Sequence, residues 1–177
     1  MSEKRRIGSD VHAGRAEAEG PGVTAARFRE VFGRWASTVT IVAVRDDDAA
    51  VHATTVSSFA PVSAQPPLVV IAFGAGAQVL PWVRPGAVLG VSLLREDQSR
   101  WASIFADSLP VASPKWSEGP VPRVPGAVAE LSCSVREVHE TLGGSRLVVC
   151  SLEDAALGED DRPLLYWQRA YRKLDLG

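Results

Sequence analysis

VHATTVSSFAPVSAQPPL, residues 51–68, is the stretch on which the fold turns. Its centre, Thr55-Val56-Ser57-Ser58-Phe59, places three hydroxyls on five residues inside what otherwise reads as a β-strand. In a strand, Thr55 and Ser57 share one face, and Val56 and Ser58 share the other. Two readings are open at this point. The segment is an edge strand running into a polar loop, or it is a barrel strand with one face packed inward and the other lining a ligand cleft.

The neighbouring segments supply the frame. Upstream, TVTIVAVR (residues 38–45) is short and β-branched, so it predicts a strand; Asp46-Asp47-Asp48 predicts the turn that returns the chain near Ala50 as a hairpin. Downstream, Pro66-Pro67 ends the polar segment and LVVIAF (residues 68–73) is a fully apolar run, expected to be a buried strand. Gly74-Ala75-Gly76 breaks it, one or two helical turns follow over residues 77–83, and residues 87–94 read as the next strand. Two helices are expected, at residues 25–34 behind a Thr24 cap and at residues 96–106. Phe28, Val31, Phe32 and Trp35 make one face of the first, while Trp101, Ile104 and Phe105 make the apolar face of the second. Residues 107–126 carry five prolines and read as an irregular loop. Strands at 131–138 and 147–152 are joined through Gly143-Gly144, and a short pair at 164–166 and 170–174 closes the chain. This order lacks βαβ alternation and predicts a mainly β protein, an antiparallel barrel with peripheral helices.

At 177 residues, 46% hydrophobic and 23% charged, the chain suits one folded domain over residues 24–177 behind a polar, disordered tail over 1–23. A net charge of −2 gives no electrostatic basis for nucleic-acid binding. No apolar run is long enough for a membrane span, and the N-terminus has no signal-peptide pattern, so a cytoplasmic protein is expected. Cys133 and Cys150 sit in strand-like stretches without metal-ligand spacing and read as reduced core residues; no metal site is expected from His12, His52 and His139. A dinucleotide-binding glycine fingerprint, a phosphate loop and a nucleophile elbow are all absent. Catalytic residues are therefore not assigned.

Taken together in order and spacing, FREVFGRWASTVTI (28–41), TVSSFAPVS (55–63) with Pro66-Pro67-Leu68, GVSLLREDQ (90–98), Phe105-Ala106 and Pro163-Leu164-Leu165-Tyr166 with Tyr171 and Leu174 resemble the flavin reductases of the FMN-binding split-barrel fold. The resemblance covers residues 26–174. It implies a homodimer that transfers hydride from NADH or NADPH to FMN or FAD and releases reduced flavin, its small-molecule substrate, to a flavin-dependent monooxygenase. It also implies a flavin site built from Trp35, Ala36, Ser37, Thr38, Thr54, Thr55, Val56, Ser57, Ser58 and Phe73. Thr55, Ser57 and Ser58 would hold the isoalloxazine edge and ribityl chain, and residues 35–38 would approach the ring.

Five departures from the family pattern stand out. Thr38 and Ala53 stand where glycine is common, and Ser92 where asparagine is common. Ala77 and Val79 replace a Ser-x-Thr pair that holds the flavin phosphate, which assigns the phosphate to Arg84 or to backbone N–H groups. Gly143-Gly144-Ser145 replaces Gly-Asp-His, so the histidine placed beside the nicotinamide is missing, with Arg146 adjacent. These departures keep an alternative open: a repurposed split barrel binding or converting another small molecule, or serving as an oxygenase accessory protein.

Overall fold

The computed structural model describes residues 22–106, 115–160 and 162–175. The expected tail, apart from Gly22 and Val23, and residues 107–114 of the proline-rich loop lie outside these. The chain divides into two compact units at Phe32/Gly33.

The first unit contributes helix α1, Ala25–Phe32. Thr24 caps it as expected, its Oγ1 accepting the Arg27 N–H at 3.2 Å. The helix stops at Phe32, before Gly33, so Trp35 does not continue its apolar face. Phe28, Val31 and Phe32 are about half exposed, and the Phe28 and Phe32 rings lie 4.4 Å apart.

The second unit is antiparallel throughout. Seven strands pair in the order β3 (Val51–Val56), β2 (Thr40–Arg45), β6 (Val88–Leu93), β7 (Ala129–Glu140), β8 (Arg146–Leu157), β5 (Pro67–Phe73) and β4 (Phe59–Ala64). A smaller sheet joins β1 (Ser37–Thr38), β9 (Leu165–Trp167) and β10 (Ala170–Arg172). This is the antiparallel architecture that the element order predicts, and it agrees with the split barrel that the resemblance implies. Two helical pieces sit beside it: a 3-10 turn at Leu80–Trp82 and α2 at Ser99–Ala106.

The expected strand at 38–45 is divided at Val39. The Val39 N–H donates to the Leu164 carbonyl (3.0 Å) and its carbonyl accepts from Leu94 N–H (2.9 Å), so this residue ties the small sheet to the large one. Beyond it, β2 is buried on both faces, as its unbroken apolar run requires. Val42 and Val44 enter one core with Ile71, Phe73, Leu89, Val91, Cys133 and Cys150; Ile41 and Ala43 enter the other with Leu94, Ala102, Val124 and Leu164. Helix α2 starts at Ser99 because the preceding turn is held by Gln98, whose side chain accepts the Arg95 N–H (2.9 Å) and donates to the Pro125 carbonyl (3.0 Å).

The 51–68 stretch is two strands, not one. The break falls at Ser57-Ser58, where the Ser58 hydroxyl donates to the Ala72 carbonyl (2.6 Å) and the Ser58 carbonyl accepts the Ala72 N–H (3.4 Å). Both resulting strands are edges of the large sheet. Pro61 is tolerated in β4 because that strand is an edge, and the pairing register slips between Pro61 and Ser63.

Two features of this packing are open to test. Gly90 lies in β6 under the segment leading to Arg123, and a Cβ built there would fall 1.9 Å from the Pro122 carbonyl oxygen. Gly90→Ala is therefore expected to lower unfolding free energy by roughly 1–3 kcal/mol in denaturant titration, through forced backbone displacement. Burial pushes the Cys133 thiol up to about 12 and the Cys150 thiol up to about 11. Both should stay unmodified by a thiol reagent at pH 8 and react only on unfolding; rapid native labelling would contradict their placement.

Candidate functional site

At the end of β3 the larger sheet meets the β9–β10 hairpin. A cavity of about 180 Å³ opens there, lined by Val39, Thr55, Val56, Ser57, Ala106, Tyr166 and Tyr171. Each wall follows from a local feature. Thr55 points toward α2, and its hydroxyl donates to the Ala102 carbonyl at 2.8 Å. With that proton committed, the Thr55 oxygen faces a ligand only as an acceptor. Ser57 sits on the exposed corner after β3 and makes no hydrogen bond through its side chain among the described residues, so it can donate or accept.

The two tyrosines are the only ones in the chain and face each other across the hairpin, with ring centroids 5.6 Å apart at 58°. Gln168 and Arg169 form its turn with positive φ angles of 50° and 58°, the backbone twist that a tight two-residue hairpin demands. The hairpin is fixed from outside by the Gln168 N–H on the Gly33 carbonyl (2.8 Å) and by the Trp167 indole N–H on the Arg34 carbonyl (3.3 Å). Aromatic rings on one wall and hydroxyls on the other suit a flat, amphipathic ring.

The structure brings together Thr55, Val56 and Ser57 of the residues named from sequence. Ser58 is turned to Ala72 and fixes the corner. Thr54 lies on the opposite face of β3 from Thr55. Phe73 is fully buried in the core. Ser37 and Thr38 pair with Tyr166 and Leu165 in the small sheet, so they support the cavity wall without lining it; Trp35 is 71% exposed, and it and Ala36 precede β1. Val39, Ala106, Tyr166 and Tyr171 were missed as site residues. The available signal was the pairing of both tyrosines in one closing hairpin.

A second cavity, of about 520 Å³, lies beyond the end of β5. Residues 75–78, Leu80, Pro81, Val83, Arg84 and Arg146 line it. Arg84 thus stands apart from the first cavity. Of the two positions that depart from the phosphate pattern, Ala77 lines this cavity while Val79 is buried in the core. The segment that carries these residues is held down by Trp82, which stacks on His52 of β3 at 3.5 Å and 16°. His52 in turn bonds Asp46 at 2.8 Å, and this bond is the main cause holding the Asp46 carboxyl below its ordinary value, aided by the Ala50 and Asp48 N–H groups. A depressed carboxyl stabilises the fold above its ordinary titration and loses that contribution as pH falls through the depressed value. Asp46→Ala should therefore lower the melting temperature at pH 7, with the gap to the parent closing as pH is taken well below 3.8.

Comparison with known proteins identifies the family. The model of the flavin reductase like domain matches residues 32–175. The reductase component of 4-hydroxyphenylacetate 3-monooxygenase from Thermus thermophilus is 38% identical over 147 residues, covering 83% of this chain and 95% of that protein. An NADH-dependent flavin reductase from a Rhodococcus species is 32% identical, covering 88% of this chain and 90% of the relative. Among solved structures, the NADH:FAD oxidoreductase of Streptomyces globisporus in complex with NAD and FAD fragments superposes with a TM-score of 0.77 at 27% identity, covering 85% of this chain and 93% of that one. With the match spanning nearly all the described strands, the chain belongs to the flavin reductase-like domain family.

Proposed function

We infer that the chain is an NAD(P)H:flavin oxidoreductase that hands reduced flavin to a separate monooxygenase. The observation that carries this reading is the first cavity, with its two tyrosines opposite Thr55 and Ser57. Flavin, FMN or FAD, supplies the hydride-accepting chemistry when bound, with NADH or NADPH as donor. The residues present fit such a ring. Thr55, limited to accepting, suits the ring's N–H edge; Ser57 suits a carbonyl or a ribityl hydroxyl; Tyr166 and Tyr171 cover apolar ring surface. Among the described residues that line the cavity none is a carboxylate or a histidine, and their part is to orient the ring and shield it from water.

The reading includes a homodimer, supported by the half-exposed Phe28, Val31 and Phe32 of α1, which offer apolar surface to a second copy. It also includes a cytoplasmic location, in keeping with the two buried free cysteines.

The test is NADH and NADPH oxidation by purified protein with FMN or FAD added. Turnover far above the free-flavin background is expected, and its absence would overturn the reading. In the same assay, Thr55→Val together with Ser57→Ala should raise the flavin KM about tenfold, the effect of two lost hydrogen bonds. An unchanged KM would remove the first cavity from the reaction.

A further inference from the structure

A third cavity, of about 410 Å³, lies where the β2–β3 hairpin meets the Trp82 segment and the start of β6. It shares no lining residue with the first cavity. Small-molecule sites span roughly 300–1,000 Å³, so the space is large enough to hold one. Three charged side chains line it: Arg45 at the end of β2, Asp47 in the hairpin turn, and Arg84 after Trp82. Among the described residues no carboxylate pairs with either arginine and no cation pairs with Asp47. By contrast, Arg95, Arg123, Arg136 and Arg162 each hold a carboxylate.

The walls are fixed in advance. The Arg45 guanidinium donates through one terminal nitrogen to the Ala49 carbonyl (3.1 Å) and through the other to the Gly119 carbonyl (3.4 Å). Each bond uses a single N–H of the fork, so the group is held in place with donors to spare. The segment after Trp82 is pinned as well: the Ala87 N–H closes a turn on the Arg84 carbonyl, and the Gly86 N–H reaches the Val135 carbonyl, both at 2.9 Å. Trp82 has its indole stacked on His52 at 3.5 Å, so what it turns to the cavity is the remaining surface of a fixed ring. Val44, Pro85, Val88 and Pro120 add apolar area around it.

Charge and shape together select the ligand. Two arginines against one aspartate leave one net positive charge, which a single carboxylate neutralises. A phosphate ester carries nearly twice that charge at neutral pH and would leave the excess facing Asp47. Guanidinium forks match carboxylate oxygens in pairs, and an indole between proline rings favours a flat apolar body. We propose that the third cavity is a binding site for a small aromatic carboxylate, its acid end held by Arg45 and Arg84 and its ring by Trp82. The site needs no flavin, so it stands apart from the function proposed above.

Calorimetric titration of the full chain with benzoate, benzamide and phenyl phosphate tests the proposal. Benzoate is expected to bind saturably with a Kd of about 1 mM or tighter, and benzamide, of the same shape but neutral, at least about tenfold more weakly. Arg45→Gln should weaken benzoate about tenfold and leave benzamide unchanged, whereas Trp82→Phe should weaken both. Asp47→Asn should tighten benzoate by about twofold, through removal of a like charge. Saturating FMN should leave benzoate binding as it was. The absence of saturable benzoate binding, equal affinity for acid and amide, or parent affinity in Arg45→Gln would each overturn the proposal. Displacement of benzoate by FMN would place it in the flavin cavity and overturn the third site. Phenyl phosphate bound more than about tenfold more tightly than benzoate would overturn the carboxylate class. Should Arg45→Gln fail to fold without its two carbonyl contacts, Arg84→Gln decides in its place, since Arg84 is exposed and makes no side-chain bond among the described residues. Each of these results is independent of NADH oxidation, so failure here leaves the flavin reading standing.

Discussion

The site depends on the two backbone hydrogen bonds of Val39. One joins it to Leu164 ahead of β9, the other to Leu94 after β6, and the Leu164 N–H on the Leu94 carbonyl (2.8 Å) completes the junction of the small sheet with the large one. Because Val39 is 2% exposed, water does not compete for either of its bonds. The consequence is geometric. The β9–β10 hairpin is held over the end of β3, and Tyr166 and Tyr171 come to face Thr55 and Ser57.

Much of the frame was legible from local pattern. The apolar run at 68–73, the Asp46-Asp47-Asp48 turn and the Gly143-Gly144 hairpin each carry their own short-range physics, and each appears where the pattern places it. What local pattern missed arose from distant bonds. The division at Val39 is set by Leu164 and Leu94, far along the chain, and nothing in TVTIVAVR announces it. The break at Ser57-Ser58 is likewise fixed by Ala72. Sequence named Thr55 and Ser57 because their hydroxyls, with that of Ser58, interrupt a strand, and Val56 through the family resemblance. It did not place the tyrosines in the site, since their role comes from the hairpin's position in space and not from their own neighbours.

Of the two readings of the 51–68 stretch, the edge strand is the one seen. β3 is an edge strand that runs into a polar corner, and the same corner lines a cavity. The hydroxyls divide the work. Ser58 holds the corner to β5, Thr55 holds α2, and Ser57 is left to the cavity. In the same way, the losses at Ala77 and Val79 differ in kind. Val79 is a core residue that packs beneath the turn, whereas Ala77 lines an open space already bounded by two arginines.

The central claim is that the space between β3 and the β9–β10 hairpin receives the flavin ring. A crystal structure of the chain with FMN tests it most directly. The account predicts the ring between Tyr166 and the Thr55-Ser57 edge, with a ring N–H within hydrogen-bond distance of Thr55 Oγ1. A ring bound elsewhere, with this cavity filled only by water, would contradict it.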